Sequence, residues 1–433
     1  MRFGRVVEAS RGVAATSRRG AKLELLAGLL RELGAAEAPI VIPWLSGALR
    51  QGRGGIGYAA LREASAPPAR EAALTAAEVD LAIQSIFDAK GAGSARRRKE
   101  LLASLLARAT EAEQDFLRRL LTGELRQGAL EGLMLEAVAR AASVPAEGVR
   151  RAAMLAGDLV PVAQAVFEEG ERGLERFRIQ LLRPVQPMLA QAAEGVEEAL
   201  AELGEAAFEY KLDGARIQAH RSGGDVVVFS RNLNDVTPAV PEVVEAVLAL
   251  PERELILDGE VIALAAGGRP LPFQTTMRRF GRKLDVERMR GELPLTPFWF
   301  DLLYCAGGSL VDEPQARRFS ELARLAPEER LTPRLATADP ARALEFTRGA
   351  LAAGHEGVMA KSLCAPYAAG KRGQSWLKIK QPRTLDLAVL AAERVTTVGA
   401  HLGESGQRLL ALSAGELAEL FGDGGFLNIH LMP

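Results

Sequence analysis

Apolar residues recur with a helical period through the first part of the chain and with a period of two through the second. From residue 16 to about 180, Leu23, Leu25, Leu26, Leu29 and Leu30 set a three-to-four-residue spacing that long Ala/Leu/Glu/Arg segments continue, which predicts a succession of amphipathic helices. Ala66-Pro-Pro68 and Gly91-Ala-Gly-Ser94 mark loops, and Ser143-Val-Pro145 reads as a helix start. The pattern changes at Arg183-Pro-Val-Gln-Pro-Met188. Beyond it, strands are expected at 207–211, 216–220, 226–229, 255–264, 297–305, 357–361, 376–380 and 385–391, with helices at 239–250 and 340–353 between them. Strands and helices mixed in this way predict an α+β region on antiparallel sheet. The organisation read from the sequence is a helical domain at 1–182, an α+β domain at 183–385 and a remainder at 386–433.

Composition narrows the class. The chain of 433 residues is long enough for two or three buried cores, and 48% hydrophobic with 25% charged residues is ordinary globular usage. Apolar runs such as Pro39 to Leu45 fall far short of the roughly 20 residues that cross a bilayer, so no membrane association is expected. Arg2, Arg5 and Arg11 stand where a secretory signal would have its apolar stretch. Two cysteines, Cys305 and Cys364, supply neither a disulfide framework nor a zinc site, which suits a reducing cytoplasm. His220, His355, His401 and His430 form no ligand or triad pattern. The net charge of −1 divides unevenly, with 26 Lys and Arg against 22 Asp and Glu in residues 1–180. That bias is small and suits a solvated helical surface as well as an anionic partner.

One internal repeat is visible. Leu45-Ser-Gly-Ala-Leu-Arg-Gln-Gly52 returns 76 residues later as Leu121-Thr-Gly-Glu-Leu-Arg-Gln-Gly128. Each copy ends on Arg and Gln before a glycine, which makes Arg50, Gln51, Arg126 and Gln127 candidates for contact with a nucleic-acid phosphate. A repeated helix-capping turn, needing only the glycine, is the alternative.

The chemistry concentrates in the second part. In Glu209-Tyr-Lys-Leu-Asp-Gly-Ala-Arg216 a strand runs into a turn, so Glu209 and Lys211 share one face and Tyr210 and Leu212 the other. Lys-x-Asp-Gly alone is an ordinary surface hairpin. Five further segments follow in order: Ser230-Arg-Asn232, Leu257-Asp-Gly-Glu260, Phe298-Trp-Phe-Asp-Leu-Leu-Tyr304, Glu356-Gly-Val-Met-Ala-Lys361 and Trp376-Leu-Lys-Ile-Lys380. In the last, Leu377 and Ile379 face a core while Lys378 and Lys380 share the opposite face, where they repel unless an anion lies between them. A polyphosphate is such an anion.

These six segments resemble, in order and spacing, the nucleotidyltransferase motifs of ATP-dependent DNA ligases and of their RNA-ligase and capping-enzyme relatives, from about residue 184 to 390. The helical first part is similar to the N-terminal DNA-binding domain of the larger ligases. The resemblance implies an all-α DNA-binding domain, an ATP-grasp-like adenylation domain of antiparallel sheet, and a C-terminal OB-fold. It implies that Lys211 takes AMP from ATP as a lysyl phosphoramidate, an attack that needs a neutral amine. Glu209 then stands where the adenine amino group is read, Phe300 where the ring stacks, Arg216 and Glu260 at the ribose, and Arg231 near the 5′-phosphate of the nick. Lys378 and Lys380 serve the phosphates, and Glu356, with Glu260, lies close to a Mg²⁺ ion that phosphates and water complete. Nicked duplex DNA and ATP are the implied partners of a monomer working in the cytoplasm in repair, replication or recombination.

The expected pattern breaks after about Arg394. An OB barrel needs five strands. One strand is expected, at 385–391, and the stretch 414–421 reads as a helix. The expectation is therefore a truncated or replaced OB remnant and impaired self-adenylation, with an RNA ligase, a capping-type enzyme or a non-catalytic nick-binding relic as alternatives.

Overall fold

The computed structural model describes residues 1–380, apart from 53–55, 92, 126–130, 282–284 and 369–371. The expected OB remnant, and with it the strand at 385–391 and the helix at 414–421, lies outside the described residues. Residues Met1–Lys380 form one compact unit.

Helices begin earlier than the periodicity suggested. Phe3–Ala14 is already helical and buries Phe3, Val6, Val7, Ser10 and Val13, one face at three- and four-residue steps. The Phe3 ring meets Trp44 of the helix Ala38–Leu45 and Phe116 of the helix Glu111–Thr122 edge-on, with centroids 5.7 and 5.6 Å away, so one aromatic joins three helices. Thr75 and Thr110 start their helices with capping boxes closed by Glu78 and Glu113. The helical core continues to Val166. The two copies of the repeat come together: a Cβ on Gly47, at φ +77°, would lie 3.0 Å from the carbonyl oxygen of Leu125.

Ten strands follow: β1 Leu189–Ala193, β2 Ala206–Tyr210, β3 Ala215–Ser222, β4 Asp225–Ser230, β5 Glu254–Ala263, β6 Leu295–Cys305, β7 Gly308–Ser309, β8 Arg334–Thr337, β9 Gly357–Ser362 and β10 Arg372–Lys380. They form two five-stranded sheets, in the orders β1-β10-β9-β2-β8 and β4-β3-β5-β6-β7. The expected antiparallel pairing holds for every pair except β1 with β10, which is parallel. Strands β1 and β8 escape the sequence pattern because both are short and neither has a fully buried alternating face. Each sheet has its own apolar core, around Phe208, Val358, Ala360, Leu377 and Ile379 in the first and around Ile217, Leu257, Val261 and Trp299 in the second.

The chain passes from one sheet to the other at Lys211–Gly214, between β2 and β3. That crossing is what places the site. Gly214 is required there by space: a Cβ would stand 2.2 Å from the carbonyl oxygen of Val261. Gly357 faces a similar limit at φ +145°, with the carbonyl oxygen of Ile379 2.1 Å from a Cβ position. Behind the second sheet, Met154 and Leu155 of the helix Ala146–Ala156 pack with Val185, Met188, Ile256 and Leu303, and Arg151 pairs with Asp312. The Gln218 amide of β3 fixes the connection by bonding both the N–H (2.7 Å) and the carbonyl (3.1 Å) of Val185.

Candidate active site

A cavity of about 1000 Å³ opens between the two sheets, and Lys211 stands on its wall. The backbone holds the lysine from both sides, because its N–H donates to the Gly357 carbonyl (2.9 Å) and its carbonyl accepts from the Glu356 N–H (3.2 Å). Those bonds tie the end of β2 to the start of β9 and bring the Lys211 ammonium against the Glu356 carboxylate. Lys380 approaches the same carboxylate oxygen at 2.8 Å. Lys378 and Lys380, side by side on β10, repel each other unless an anion lies beside them. In the structure Glu356 supplies one, between Lys380 and Lys211. Burial pushes Glu356 up, but the bonds from Lys211 and Lys380 outweigh it and hold the carboxyl below the usual range. Asp213 lies in the same cluster, and burial followed by the Glu356 charge raises its carboxyl.

Each residue that the six segments nominated in the second part of the chain lines this cavity. Glu209, Lys211, Arg216, Arg231 and Glu260 do so from the first three segments, and Phe300, Glu356, Lys378 and Lys380 from the rest. Arg231 is exposed and Glu209 is 1% exposed, so the wall runs from solvent to a deep end. Arg216 is locked by Asp258, with Nε to Oδ1 at 3.0 Å and Nη2 to Oδ2 at 2.6 Å, and donates to the Met188 carbonyl at 2.6 Å. Tyr367 completes the node by donating to Asp258 at 2.7 Å. Burial drives the Glu260 carboxyl up to about 7 against the opposing charges of Arg216 and Lys211.

Other residues at the site had no role in the sequence reading. Lys361 and Arg334 both pair with Glu209, at 2.5 and 3.1 Å. Lys361 had a visible signal: in β9, Val358 and Ala360 enter the apolar core, so period-two alternation turns Met359 and Lys361 to the cavity. Arg334 had none, because β8 itself was not recognised. Asp301 and Arg318, both fully buried, form a bidentate pair at 2.7 and 2.8 Å that braces β6 next to Phe300.

The phosphate-contact candidates of the helical part stand differently. Arg50 grips the buried carboxylate of Asp80, with Nε 2.7 Å from Oδ1, and Gln51 donates to the same oxygen at 2.8 Å. Both side chains thus have an intramolecular partner. Arg126 and Gln127 lie outside the described residues. His220 is a core residue, neutral because burial drives it down to about 3.

Comparison with known proteins bears on the same segments. A family model described as "ATP dependent DNA ligase domain" matches residues 187–380, and one described as "DNA ligase N terminus" matches 54–139. Among curated proteins, a "Probable DNA ligase" of Anaeromyxobacter sp. (strain Fw109-5) is 58% identical over 91% of this chain and 76% of its own length. Proteins of the same description from Sorangium cellulosum (strain So ce56) and Mycolicibacterium gilvum (strain PYR-GCK) are each 52% identical over 90% of this chain, covering 73% and 76% of theirs. A solved structure titled "Pmar-Lig_Pre." shares the fold with a TM-score of 0.58 at 18% identity, across 90% of this chain and 81% of that one. The chain belongs to the ATP-dependent DNA ligases.

Proposed function

We propose that this ligase seals nicks in duplex DNA, with Lys211 as the residue that carries AMP. The observation that supports it most is the position of the Lys211 ammonium beside Glu356, on the wall of the cavity that Lys378 and Lys380 also line. In the first step the Lys211 Nζ–P bond forms as the bond from the α-phosphorus to the pyrophosphate oxygen breaks, and the amine gives up its proton. AMP then passes to the 5′-phosphate of the nick, and the 3′-hydroxyl displaces it. Such phosphoryl transfers depend on positioning and charge neutralisation. Lys378 and Lys380 supply the neutralisation, Phe300 the stacking face, Arg216 and Glu260 the ribose contacts, and Arg231 the contact at the nick phosphate.

Among the described residues no group of three His, Cys, Asp or Glu side chains converges. Glu356, Asp213 and Glu260 line the cavity with carboxylate oxygens, which suit a Mg²⁺ ion completed by phosphates and water. Glu356 would hold the ion, with Glu260 near it, and bound Mg²⁺ supplies charge neutralisation at the phosphates. For catalysis Glu356 must then release Lys211.

The protein would act as a monomer on a 5′-phosphorylated nick. Incubation with α-labelled ATP and Mg²⁺, followed by denaturation and peptide mapping, tests the reading. Label is expected on the peptide containing Lys211 and absent from Lys211→Ala, and label on any other residue would overturn the assignment.

A further inference from the structure

Tyr367 belongs to none of the six segments and stands behind the cavity wall, 2% exposed. It lies in the connection from β9 to β10 of the first sheet, and its backbone N–H donates to the Val311 carbonyl (2.7 Å), just beyond β7 of the second. Its ring meets Trp376 edge-on, with centroids 6.0 Å apart, and the Arg318 guanidinium lies 5.8 Å from the ring centroid. A phenylalanine ring would make those contacts equally well. The hydroxyl is what calls for a reason.

A phenol offers one donor and two acceptor positions, and here each is used. The O–H donates to Asp258 Oδ2 (2.7 Å), and the oxygen accepts from the Met188 N–H (3.0 Å) and from Arg216 Nη2 (3.2 Å). Burial, and then the Asp258 charge, push the phenol well above its ordinary range, so the proton stays on the oxygen. One buried atom thus joins β5 through Asp258, β3 through Arg216 and the approach to β1 through Met188.

The guanidinium of Arg216 carries five N–H donors in a rigid fork. Four are taken: Nε by Asp258 Oδ1, the two on Nη2 by Asp258 Oδ2 and Tyr367, and one on Nη1 by the Met188 carbonyl. Among the described residues the second Nη1 N–H has no acceptor, and the side chain is 15% exposed on the cavity wall. Removing the tyrosine hydroxyl would take a donor from Asp258 and an acceptor from Nη2, loosening the fork that aims this last N–H. We propose that Tyr367 is a positioning residue for the sugar of the nucleotide: its hydroxyl fixes the pair of Asp258 and Arg216 so that the free Nη1 N–H of Arg216 points at a ribose hydroxyl. The assignment rests on the proposed function, which places the ribose at Arg216.

The test compares equilibrium binding of ATP and of 2′,3′-dideoxy-ATP, which lacks both ribose hydroxyls, to the full chain. The wild type should bind ATP ~10- to 100-fold more tightly, the effect of a hydrogen bond from a charged donor. Tyr367→Phe keeps the ring packing and should cut that preference ~5- to 10-fold through weaker binding of ATP alone. In an Arg216→Met background the same change should leave the preference as it is, because the hydroxyl acts through the arginine, and a further loss there would overturn the assignment. A folded Tyr367→Phe that weakens both nucleotides in proportion would overturn it too, since that is the mark of a merely structural tyrosine. Should Tyr367→Phe fail to fold, 4-aminophenylalanine at position 367 still donates to Asp258 and should keep most of the preference, and its loss in that folded protein would sink the idea. Equal binding of the two nucleotides by the wild type would defeat the ribose contact and the role of the tyrosine with it. Covalent labelling of Lys211 is read separately and decides only the nucleophile.

Discussion

The helical and sheet regions solve opposite problems with buried polar groups. In the helical core from Phe3 to Val166 the packing is almost wholly apolar, and most ion pairs, such as Arg5 with Glu8 and Glu32, lie on the surface. The sheets instead bury charge beside their cores: Asp301 with Arg318, Asp258 with Arg216, and Glu209 with Lys361 and Arg334. Desolvating an ion pair is repaid only by good geometry and further hydrogen bonds, so buried charge is a poor way to gain stability. The sheets thus hold buried ion pairs around the cavity at a cost in stability. Among the described residues the helical region buries fewer charges, Asp80 with Arg50 among them.

The largest expected effect falls on the site alone. Lys211→Ala should reduce covalent AMP to background while leaving the thermal unfolding midpoint within about 1 °C of wild type, since a partly exposed lysine contributes little packing. Loss of folding in that variant would break the distinction between site and scaffold. Next come two changes of similar size and different origin. Asp301→Ala should cost ~3–5 kcal/mol in urea denaturation because it strands the buried Arg318, and Asp301→Leu combined with Arg318→Met should recover most of that. Phe3→Ala should also cost ~3–5 kcal/mol, with ATP binding unchanged, because it empties the junction of three helices. If the double sheet variant stayed as unstable as Asp301→Ala, the view of those charges as a stability cost would fail.

The smallest effect concerns pH. The Glu260 carboxyl is raised by burial to about 7, above its unfolded value near 4.5, so the folded protein binds more protons between those values. Its contribution to stability is then greatest below about pH 4.5 and is lost as pH rises toward 7. Glu260→Gln should flatten the decline in unfolding free energy between pH 5 and 7, measured by denaturant titration at each pH. An unchanged slope would place the titration elsewhere.

Much of this was legible in the sequence because the relevant periods are local. Leu377 and Ile379 alternate with Lys378 and Lys380, and that alternation alone put the two lysines on the cavity side. The ordered motifs located every cavity residue nominated from the second part of the chain. Legibility failed where the local pattern was short or the partner distant. The helix Phe3–Ala14 lies wholly before residue 16, where the helical pattern was read to begin, β1 and β8 lack a buried alternating face, and Arg50 found a partner in Asp80 that its repeat gave no hint of.

By itself, then, the sequence determined the two kinds of region and the strand face that Lys211 shares with Glu209, since residue types at fixed spacing specify which face a side chain takes. Tertiary structure alone decided which charges meet. Arg334 reaches Glu209 across 125 residues of chain, and Glu356 reaches Lys211 across 145, through the pairing of β2 with β8 and β9. Strand order and register are properties of the whole fold, and no local period encodes them.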